Sequence, residues 1–190
     1  MENKVLIRDA DIVDAPFIAR VVLAGIEMLD IDAEVTAEHQ PVLTHLIDIC
    51  RMEDTLYSYR HTRIAEMGGR AVGALIGYDG GRYAEMRAKT FGLVQSSGLD
   101  LSKNAMETGE GEFYLDSLAI VTECRGRKIC LQLMRDRMEW AARNGFRTIT
   151  LLVDKDKPHL QRYYESLGFA FSEEMFVFGA WYNKMMNFCG

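Results

Sequence analysis

Residues 114–134 read YLDSLAIVTECRGRKICLQLM, and this stretch decides the fold. Its first part, up to Val121, is an apolar run of the kind that forms a buried strand. A basic turn with Arg125 and Gly126 follows, and from Ile129 onward the apolar residues recur at the spacing of one helix face. The stretch therefore predicts a strand, a short turn and a helix in direct succession.

A strand, turn and helix in this order form a general anion-binding device. The first N–H groups of a helix have no partner within the helix, and together with the helix dipole they favour a negative charge. Arg125, Arg127 and Lys128 add positive charge at that end. The glycine spacing matches neither a Walker loop nor a dinucleotide-binding loop. On the turn alone, a phosphate site and a solvated basic loop are equally good interpretations.

Outward from this stretch, the apolar pattern alternates between strand and helix spacing. On the N-terminal side it predicts a strand at 5–8, a helix with Pro16 in its first turn, a helix over about 37–50 and a hairpin turning at Gly68–Gly69. Residues 80–110 leave the pattern and predict a partly helical insertion. On the C-terminal side it predicts a helix over 128–144, a buried strand at 146–154, a helix starting near Pro158 and ending at Gly168, and two strands in the tail. The order indicates one α/β domain with a mixed sheet.

Charge and cysteine content exclude several classes of protein. A formal net charge of −6 disfavours nucleic-acid binding, which needs a concentrated positive surface. No apolar run approaches the length of about 18 residues that indicates a membrane helix, and the N-terminus lacks the segments of a signal peptide. The four scattered cysteines favour free thiols in a reducing compartment over a zinc site. We therefore expect a cytoplasmic protein that binds no metal, nucleic acid or membrane.

Two further segments, ITLLVD at 149–154 and LQRYYESLGF at 160–169, extend the pattern of the opening stretch. Together the three segments resemble the GNAT superfamily of acyl-CoA-dependent N-acetyltransferases. In that family the loop before the helix reads [Q/R]-x-x-G-x-[G/A], and a later helix ends in Y-E-x-L-G-F. Arg125 stands at the first loop position, and YESLGF ends the later helix. The resemblance implies a twisted, mixed and mostly antiparallel sheet flanked by helices, in a single domain over residues 1–190.

The resemblance also implies acetyl-CoA as co-substrate. The family's loop binds the pyrophosphate of acetyl-CoA, and the strand before it pairs with the pantetheine arm like an added strand. Carried over to this chain, the cofactor-binding residues are Leu118, Ala119, Ile120, Arg125, Gly126, Arg127, Lys128, Ile129 and Cys130.

Two positions depart from the loop motif. Lys128 stands where the family has its central glycine, and Cys130 stands where it has Gly or Ala. A Cβ in place of the glycine could crowd the phosphate. However, a residue in the first turn of a right-handed helix does not need a positive φ, its N–H is kept, and an ammonium can itself meet phosphate. We therefore expect the loop to bind CoA.

Acetyl transfer to an amine needs a base, because an alkylamine is mostly protonated at neutral pH. Asp116 is the best candidate, since a lone carboxylate within an apolar strand is unusual and tends to have a raised pKa. Two-residue periodicity places Tyr114, Asp116, Leu118 and Ile120 on one face of the strand, before any bulge. Glu112 and ordered water are alternatives, and a structural ion pair or cap is the other interpretation of Asp116. If the strand bulges as the family's does, the Leu118 N–H is the natural donor to the oxyanion.

For protonation of the leaving thiolate, the resemblance points to Tyr164. Tyr163 is a possible substitute, but adjacent helix residues point about 100° apart, so only one of them should face the cleft. Family members often have Asn near the start of this helix, where this chain has Lys157. His159 nearby is best interpreted as a surface residue.

The leading hypothesis is an acetyl-CoA-dependent N-acetyltransferase that acts on a small-molecule or peptide amine by direct transfer in a ternary complex. We expect the acceptor between the first two helices, the 80–110 insertion and the last hairpin. The acidic segment 30–34 either attracts a cationic acceptor or is a solvated loop. A CoA-binding domain with impaired catalysis and an interaction module on the same fold are the alternatives. The apolar tail at 176–189 makes a homodimer conceivable.

Overall fold

The computed structural model describes residues 4–94 and 105–189. Seven strands form one sheet in the order β1-β2-β3-β4-β5-β7-β6. The strands are β1 (Leu6–Asp9), β2 (Thr62–Met67), β3 (Arg70–Asp79), β4 (Glu112–Ile120), β5 (Thr148–Asp154), β6 (Ala170–Val177) and β7 (Ala180–Phe188). The helices are α1 (Ala15–Gly25), α2 (Gln40–Arg51), α3 (Tyr83–Leu93), α4 (Ile129–Arg143) and α5 (Pro158–Ser166). Within the described residues only β4 and β5 pair in parallel, so the expected α/β fold class with a mixed, mostly antiparallel sheet flanked by helices is confirmed.

The sheet separates two layers of helices. On one side, α1 packs against α2 and against β3 and β4. On the other side, α4 packs against β2, β3 and β4. Phe113 and Tyr114 are adjacent in β4 and point to opposite faces, so each begins a different aromatic cluster. The ring of Phe113 lies 5.3 Å from that of Trp140 on α4, and the ring of Tyr114 lies 5.7 Å from that of Tyr78. β4 is thus buried on both faces at the centre of the core.

The parallel pair β4–β5 separates soon after it begins. Its register covers only residues 112–114 of β4 against residues 148–150 of β5. Beyond that point β5 continues to pair with β7 up to Asp154, whereas β4 pairs only with β3. Because strands are about 4.8 Å apart when they are paired, the separation opens a gap along one edge of β4. This gap positions the candidate site.

A β-bulge changes which residues of β4 share a face. Leu75 lies opposite Leu118 and Gly77 lies opposite Leu115, so Asp116 and Ser117 together face a single residue of β3. A bulge of this kind leaves one residue unpaired and breaks the two-residue alternation. The two-residue periodicity, which was expected to hold only in the absence of a bulge, is therefore interrupted between Asp116 and Leu118. The bulge on which the oxyanion role of Leu118 depends is present.

The remaining sequence-based boundaries differ from the structure by a few residues at most. The helices expected at 37–50 and 128–144 are α2 and α4, and α3 lies within the segment read as an insertion. Residues 95–104 of that segment lie outside the described residues. Within residues 4–94 and 105–189, no helix is long and apolar enough to cross a bilayer, and no group of three His, Cys, Asp or Glu side chains is arranged to hold a metal ion.

Candidate active site

The gap between β4 and β5 opens into two neighbouring cavities. One, of about 490 Å³, is lined by both strands, by the start and middle of α5 and by the end of α1. The other, of about 590 Å³, lies beside residues 118–120, Arg125 and Cys130. Glu27, Leu118 and Leu160 line both cavities. We therefore treat the two as one cleft along the open edge of β4.

The basic turn and the N-terminus of α4 lie at one end of this cleft, beside the cavity of about 590 Å³ that Arg125 and Cys130 line. The backbone N–H groups of Ile129, Cys130 and Leu131 have no acceptor among the described residues, as expected for the first turn of a helix. Gly126 has a φ of 79°, in the region that glycine adopts readily. Arg127 is exposed beside the turn. Of the predicted cofactor-binding residues, five line this end of the cleft: Leu118, Ala119, Ile120, Arg125 and Cys130. Arg127 instead lines a separate cavity, where its guanidinium contacts Sδ of Met67.

Lys128 immediately precedes α4 with a φ of 60° and a ψ of 21°. This is the left-handed region, which costs a residue with a Cβ about 1–2 kcal/mol. The expectation that this position does not need a positive φ is therefore wrong, and the family's glycine has a conformational reason. Only three non-glycine residues in the described part of the chain have a positive φ, and the other two, Glu27 and Phe178, line the cleft.

The acidic segment between α1 and α2 contacts the basic turn. The Arg125 guanidinium donates to Oδ1 of Asp30 at 3.3 Å and to the Ile120 carbonyl at 3.3 Å. The Thr122 N–H donates to Oδ2 of Asp32 at 2.5 Å. These two carboxylates therefore hold the turn rather than form a separate cation site.

Asp116 is half-buried in the bulge of β4 and lines the cavity of about 490 Å³. Its Oδ2 accepts a 2.6 Å hydrogen bond from the Tyr78 hydroxyl, and its Oδ1 accepts one of 2.7 Å from Ser117. Burial and the nearby Glu107 carboxylate raise the pKa of Asp116 to about 6, while the two hydroxyl donors act to lower it. A carboxylate with such a pKa is ionised at neutral pH and is a better base than an ordinary aspartate.

Glu112, the alternative base, is engaged in a structural ion pair. Both of its carboxylate oxygens lie within 3.0 Å of Nζ of Lys184, which is only 6% exposed. The hydroxyls of Thr108 and Thr150 also donate to Oε2 of Glu112. Burial alone would raise the pKa of Glu112, but Lys184 and the hydroxyls hold it below its ordinary value. Among these two carboxylates, Asp116 is the one that lines the cleft.

The two adjacent tyrosines of α5 point in different directions. Tyr164 lines the cavity of 490 Å³, and burial raises its pKa, so its hydroxyl keeps its proton at neutral pH. The Tyr163 hydroxyl instead donates to Sγ of Cys130 at 3.2 Å. Tyr164 is therefore placed to meet a ligand in the cleft, and Tyr163 connects α5 to the start of α4.

The entrance to α5 carries a charge pair that the family pattern does not predict. Lys157 precedes the helix, forms an ion pair with Glu27 and lies 3.8 Å from Oδ2 of Asp154. All three residues line the cavity that contains Asp116. His159 is exposed, as expected of a surface residue.

Residues 27–169 match the acetyltransferase (GNAT) family. The chain belongs to this family. The family consists of acetyltransferases that use acetyl-CoA, and the resemblance seen in the sequence is confirmed.

Solved structures agree with this assignment. A structure described as an acetyltransferase is 26% identical to the chain, with a TM-score of 0.74, and covers 97% of this chain and 100% of its own. An N-acetyltransferase from Staphylococcus aureus Mu50 is 20% identical, with a TM-score of 0.78 over 95% and 99% of the two chains. A NatC complex bound to Gag peptide and CoA shares the fold at 13% identity and a TM-score of 0.56, over 98% and 99%. A comparison with curated proteins gives no match.

Several residues that line this acetyltransferase's cleft have no signal in the sequence motifs. Tyr57 follows α2, Phe91 is on α3, Phe178 is in the turn between β6 and β7, and Tyr182 is on β7. Only Phe178 has a local clue, because a bulky residue before Gly179 is unusual in a tight hairpin. The others are brought to the cleft by the tertiary fold.

Proposed function

We propose that this acetyltransferase transfers the acetyl group of acetyl-CoA to a primary amine of a small molecule or peptide, directly within a ternary complex. The coexistence of a donor site and a carboxylate base in one cleft supports this proposal. The family membership supports the use of acetyl-CoA.

In the proposed complex, the pyrophosphate of CoA lies at the N-terminus of α4. The N–H groups of Ile129 and Cys130 donate to its oxygens, and the side chains of Arg125, Arg127 and Lys128 supply positive charge. The pantetheine arm runs along the open edge of β4 at residues 118–120, where β5 no longer supplies a partner strand.

The proposed chemistry assigns one role to each of three groups. The Asp116 carboxylate accepts the proton of the acceptor ammonium, directly or through a water molecule, so that the neutral amine attacks the thioester carbonyl. The Leu118 N–H donates to the oxyanion that forms on that carbonyl. As the C–S bond breaks, the Tyr164 hydroxyl gives its proton to the departing thiolate, and the second proton of the attacking nitrogen passes to the Tyr164 phenolate. The products are an acetamide and free CoA.

The observation that carries the proposal is that Asp116 on β4 and Tyr164 on α5, the helix that follows β5, line the same cavity. The test is release of free thiol from acetyl-CoA in the presence of a panel of primary amines. We expect turnover by the wild-type protein and its loss in Asp116→Asn, with acetyl-CoA binding retained in both. Hydrolysis of acetyl-CoA without acetylated amine would contradict the proposal.

A CoA-binding domain with impaired catalysis is the second candidate. It is favoured by Lys128, which adopts a positive φ at the position where the family has glycine. Calorimetric binding of acetyl-CoA without turnover of any amine would support this alternative. The expected homodimer and the cytoplasmic location stay predictions.

A further inference from the structure

The hairpin between β6 and β7 turns through Phe178 and Gly179. Val177 pairs with Ala180, so the loop contains two residues, and their φ angles are 48° and 85°. Two positive φ angles are the requirement of a type I′ turn, for which Asn-Gly and Asp-Gly are the favoured sequences. A bulky residue at the first of these positions is a genuine outlier. Phe178 therefore stores backbone strain in a turn that asparagine would form without it.

The aromatic ring of Phe178 is also partly exposed to water, which is unfavourable for an apolar side chain. Its side chain is 43% exposed, lines the cavity that contains Asp116 and lies with its ring centre 5.3 Å from that of Phe91 on α3. Strained residues that persist beside a ligand cleft are candidates for a functional role. The ring pair of Phe178 and Phe91 gives the cleft an apolar wall that a polar turn residue would not provide.

The same cavity is lined by three carboxylates, those of Glu27, Asp116 and Asp154, and by one ammonium, that of Lys157. Among the described lining residues the only cation is Lys157, and it is engaged with Glu27 and lies near Asp154. Asp154 also accepts the N–H of Asp156 at the turn before α5. Asp116, by contrast, receives only the neutral hydroxyls of Tyr78 and Ser117. Among the described residues, Asp116 is therefore the carboxylate that faces the cleft without a cationic partner.

We propose that the acceptor is a hydrophobic monoamine, in which one primary amine is joined to a compact aromatic or alkyl body without a second charge. Its ammonium faces Asp116 and its body packs against Phe178 and Phe91, and Phe178 is the specificity-determining residue. This proposal rests on the acetyl transfer proposed above and narrows its acceptor class.

Two other acceptor classes fit the cleft less well. The carboxylate of an amino acid would lack a free cation among the described lining residues, because Lys157 is already paired. A polyamine would place its further ammonium groups against the rings of Phe178 and Phe91. The free energy gained from a cation–π contact there is much smaller than the free energy lost when an ammonium leaves water, unless the site encloses the ammonium well. An uncharged apolar body loses nothing there and removes exposed ring surface from water.

The test compares kcat/KM for 2-phenylethylamine, ethanolamine, spermidine and a tetra-alanine peptide at saturating acetyl-CoA. The variants are Phe178→Asn, which fits the type I′ turn, and Phe176→Asn as the matched control in the same hairpin. Phe176 is exposed but does not line the cleft. We expect wild type to prefer 2-phenylethylamine by about tenfold or more, the factor that corresponds to about 1.4 kcal/mol of apolar burial. Phe178→Asn should remove this preference by raising the KM for 2-phenylethylamine, and it should raise the melting temperature by about 2–4 °C because the turn is no longer strained. Phe176→Asn should keep the preference.

A preference for spermidine or the peptide, or an equal effect of Phe178→Asn on all amines, would overturn the proposal. If no amine is acetylated, calorimetry with 2-phenylethylamine on the CoA-saturated protein decides instead. Binding that Phe178→Asn weakens would uphold the ligand class while the proposed acetyl transfer fails. Absence of binding, or binding that Phe178→Asn leaves unchanged, would overturn the ligand class.

Discussion

The hydroxyl of Tyr78 on β3 donates a 2.6 Å hydrogen bond to Oδ2 of Asp116 on β4, beside the bulge that exposes Asp116 to the cleft. This bond stabilises the charged carboxylate and opposes the burial that raises its pKa to about 6. If Asp116 is the base, its ionisation sets the acid limb of the pH profile of kcat/KM. We expect that limb near pH 6 in the wild-type enzyme.

Removal of the Tyr78 hydroxyl should move the acid limb to higher pH. In Tyr78→Phe the carboxylate loses a donor to its charged form, so its pKa rises and the base is protonated over a wider range. Activity at pH 6 should fall relative to activity at pH 8. Tyr59→Phe is the control, because Tyr59 is bonded to Glu53 away from the cleft. An acid limb that does not move in Tyr78→Phe would argue that another group is the base.

The two tyrosines of α5 should differ in catalysis. Tyr164 lines the cleft, whereas Tyr163 is bonded to Cys130. We expect Tyr164→Phe to lower kcat by about 100-fold or more, the usual contribution of a general acid, with little change in acetyl-CoA affinity. Tyr163→Phe should retain most of kcat. Normal turnover in Tyr164→Phe together with its loss in Tyr163→Phe would show that the role belongs to the other tyrosine.

The fold was predictable because its elements are marked locally. The turn at Gly68–Gly69, the helix with Pro158 near its start and the YESLGF ending each specify an element from neighbouring residues, and their order matches one known arrangement. The site was predictable only in part. Asp116 stands out as a carboxylate within an apolar strand, and Tyr164 belongs to the YESLGF motif. The contact of Glu112 with Lys184 joins positions 72 residues apart, and no local sequence pattern indicates it.

The interrupted periodicity of β4 and the positive φ of Lys128 have physical causes. The bulge at Asp116 depends on how β4 pairs with β3, and two-residue periodicity within one strand does not contain that information. The positive φ of Lys128 arises because the chain must turn sharply from the basic loop into α4, and lysine gives no sign of that conformation.

Two substitutions at Lys128 separate the effect of its charge on CoA binding from the effect of its backbone conformation on stability. Lys128→Ala keeps a Cβ at the positive φ but removes the ammonium, and we expect it to weaken CoA binding by about 1–3 kcal/mol, as for Arg125→Ala. Lys128→Gly also removes the ammonium but relieves the strain, and it should raise the free energy of unfolding by about 0.5–1 kcal/mol. Calorimetry with CoA and urea unfolding measure the two effects. Equal CoA affinity in wild type, Lys128→Ala and Arg125→Ala would contradict a side-chain role in phosphate binding.

The ion pair of Glu112 with Lys184 should be important for stability. Because Lys184 is buried, Glu112→Gln leaves an uncompensated charge and should cost about 3–5 kcal/mol in urea unfolding at pH 7. Lys184→Met combined with Glu112→Gln should recover part of that loss. The exposed pair of Lys155 with Glu174 is the control, and Glu174→Gln should cost less than about 1 kcal/mol.

The same pair gives stability a defined pH dependence. The pKa of Glu112 is lower in the folded state than its ordinary value of 4.5. Its contribution is therefore complete above the unfolded pKa and is lost as pH falls through the folded pKa. The stabilities of wild type and Glu112→Gln should begin to converge as the pH falls below the ordinary value of 4.5. A difference in stability that stays constant throughout acid unfolding would contradict this account.

The ion pair between Glu27 and Lys157 should oppose entry of the cofactor. It joins the residues just after α1 and just before α5, and Glu27 lines both cavities of the cleft, so the pair lies where the pantetheine arm is expected to pass. Lys157→Asn places at this position the residue that family members often have. Because a partly exposed pair is worth about 0–1 kcal/mol, we expect acetyl-CoA affinity to improve by up to about fivefold, and less at high salt. Lys155→Asn, which breaks an ion pair outside the cleft, should leave affinity unchanged. Weaker acetyl-CoA binding by Lys157→Asn would show instead that Lys157 binds the cofactor itself.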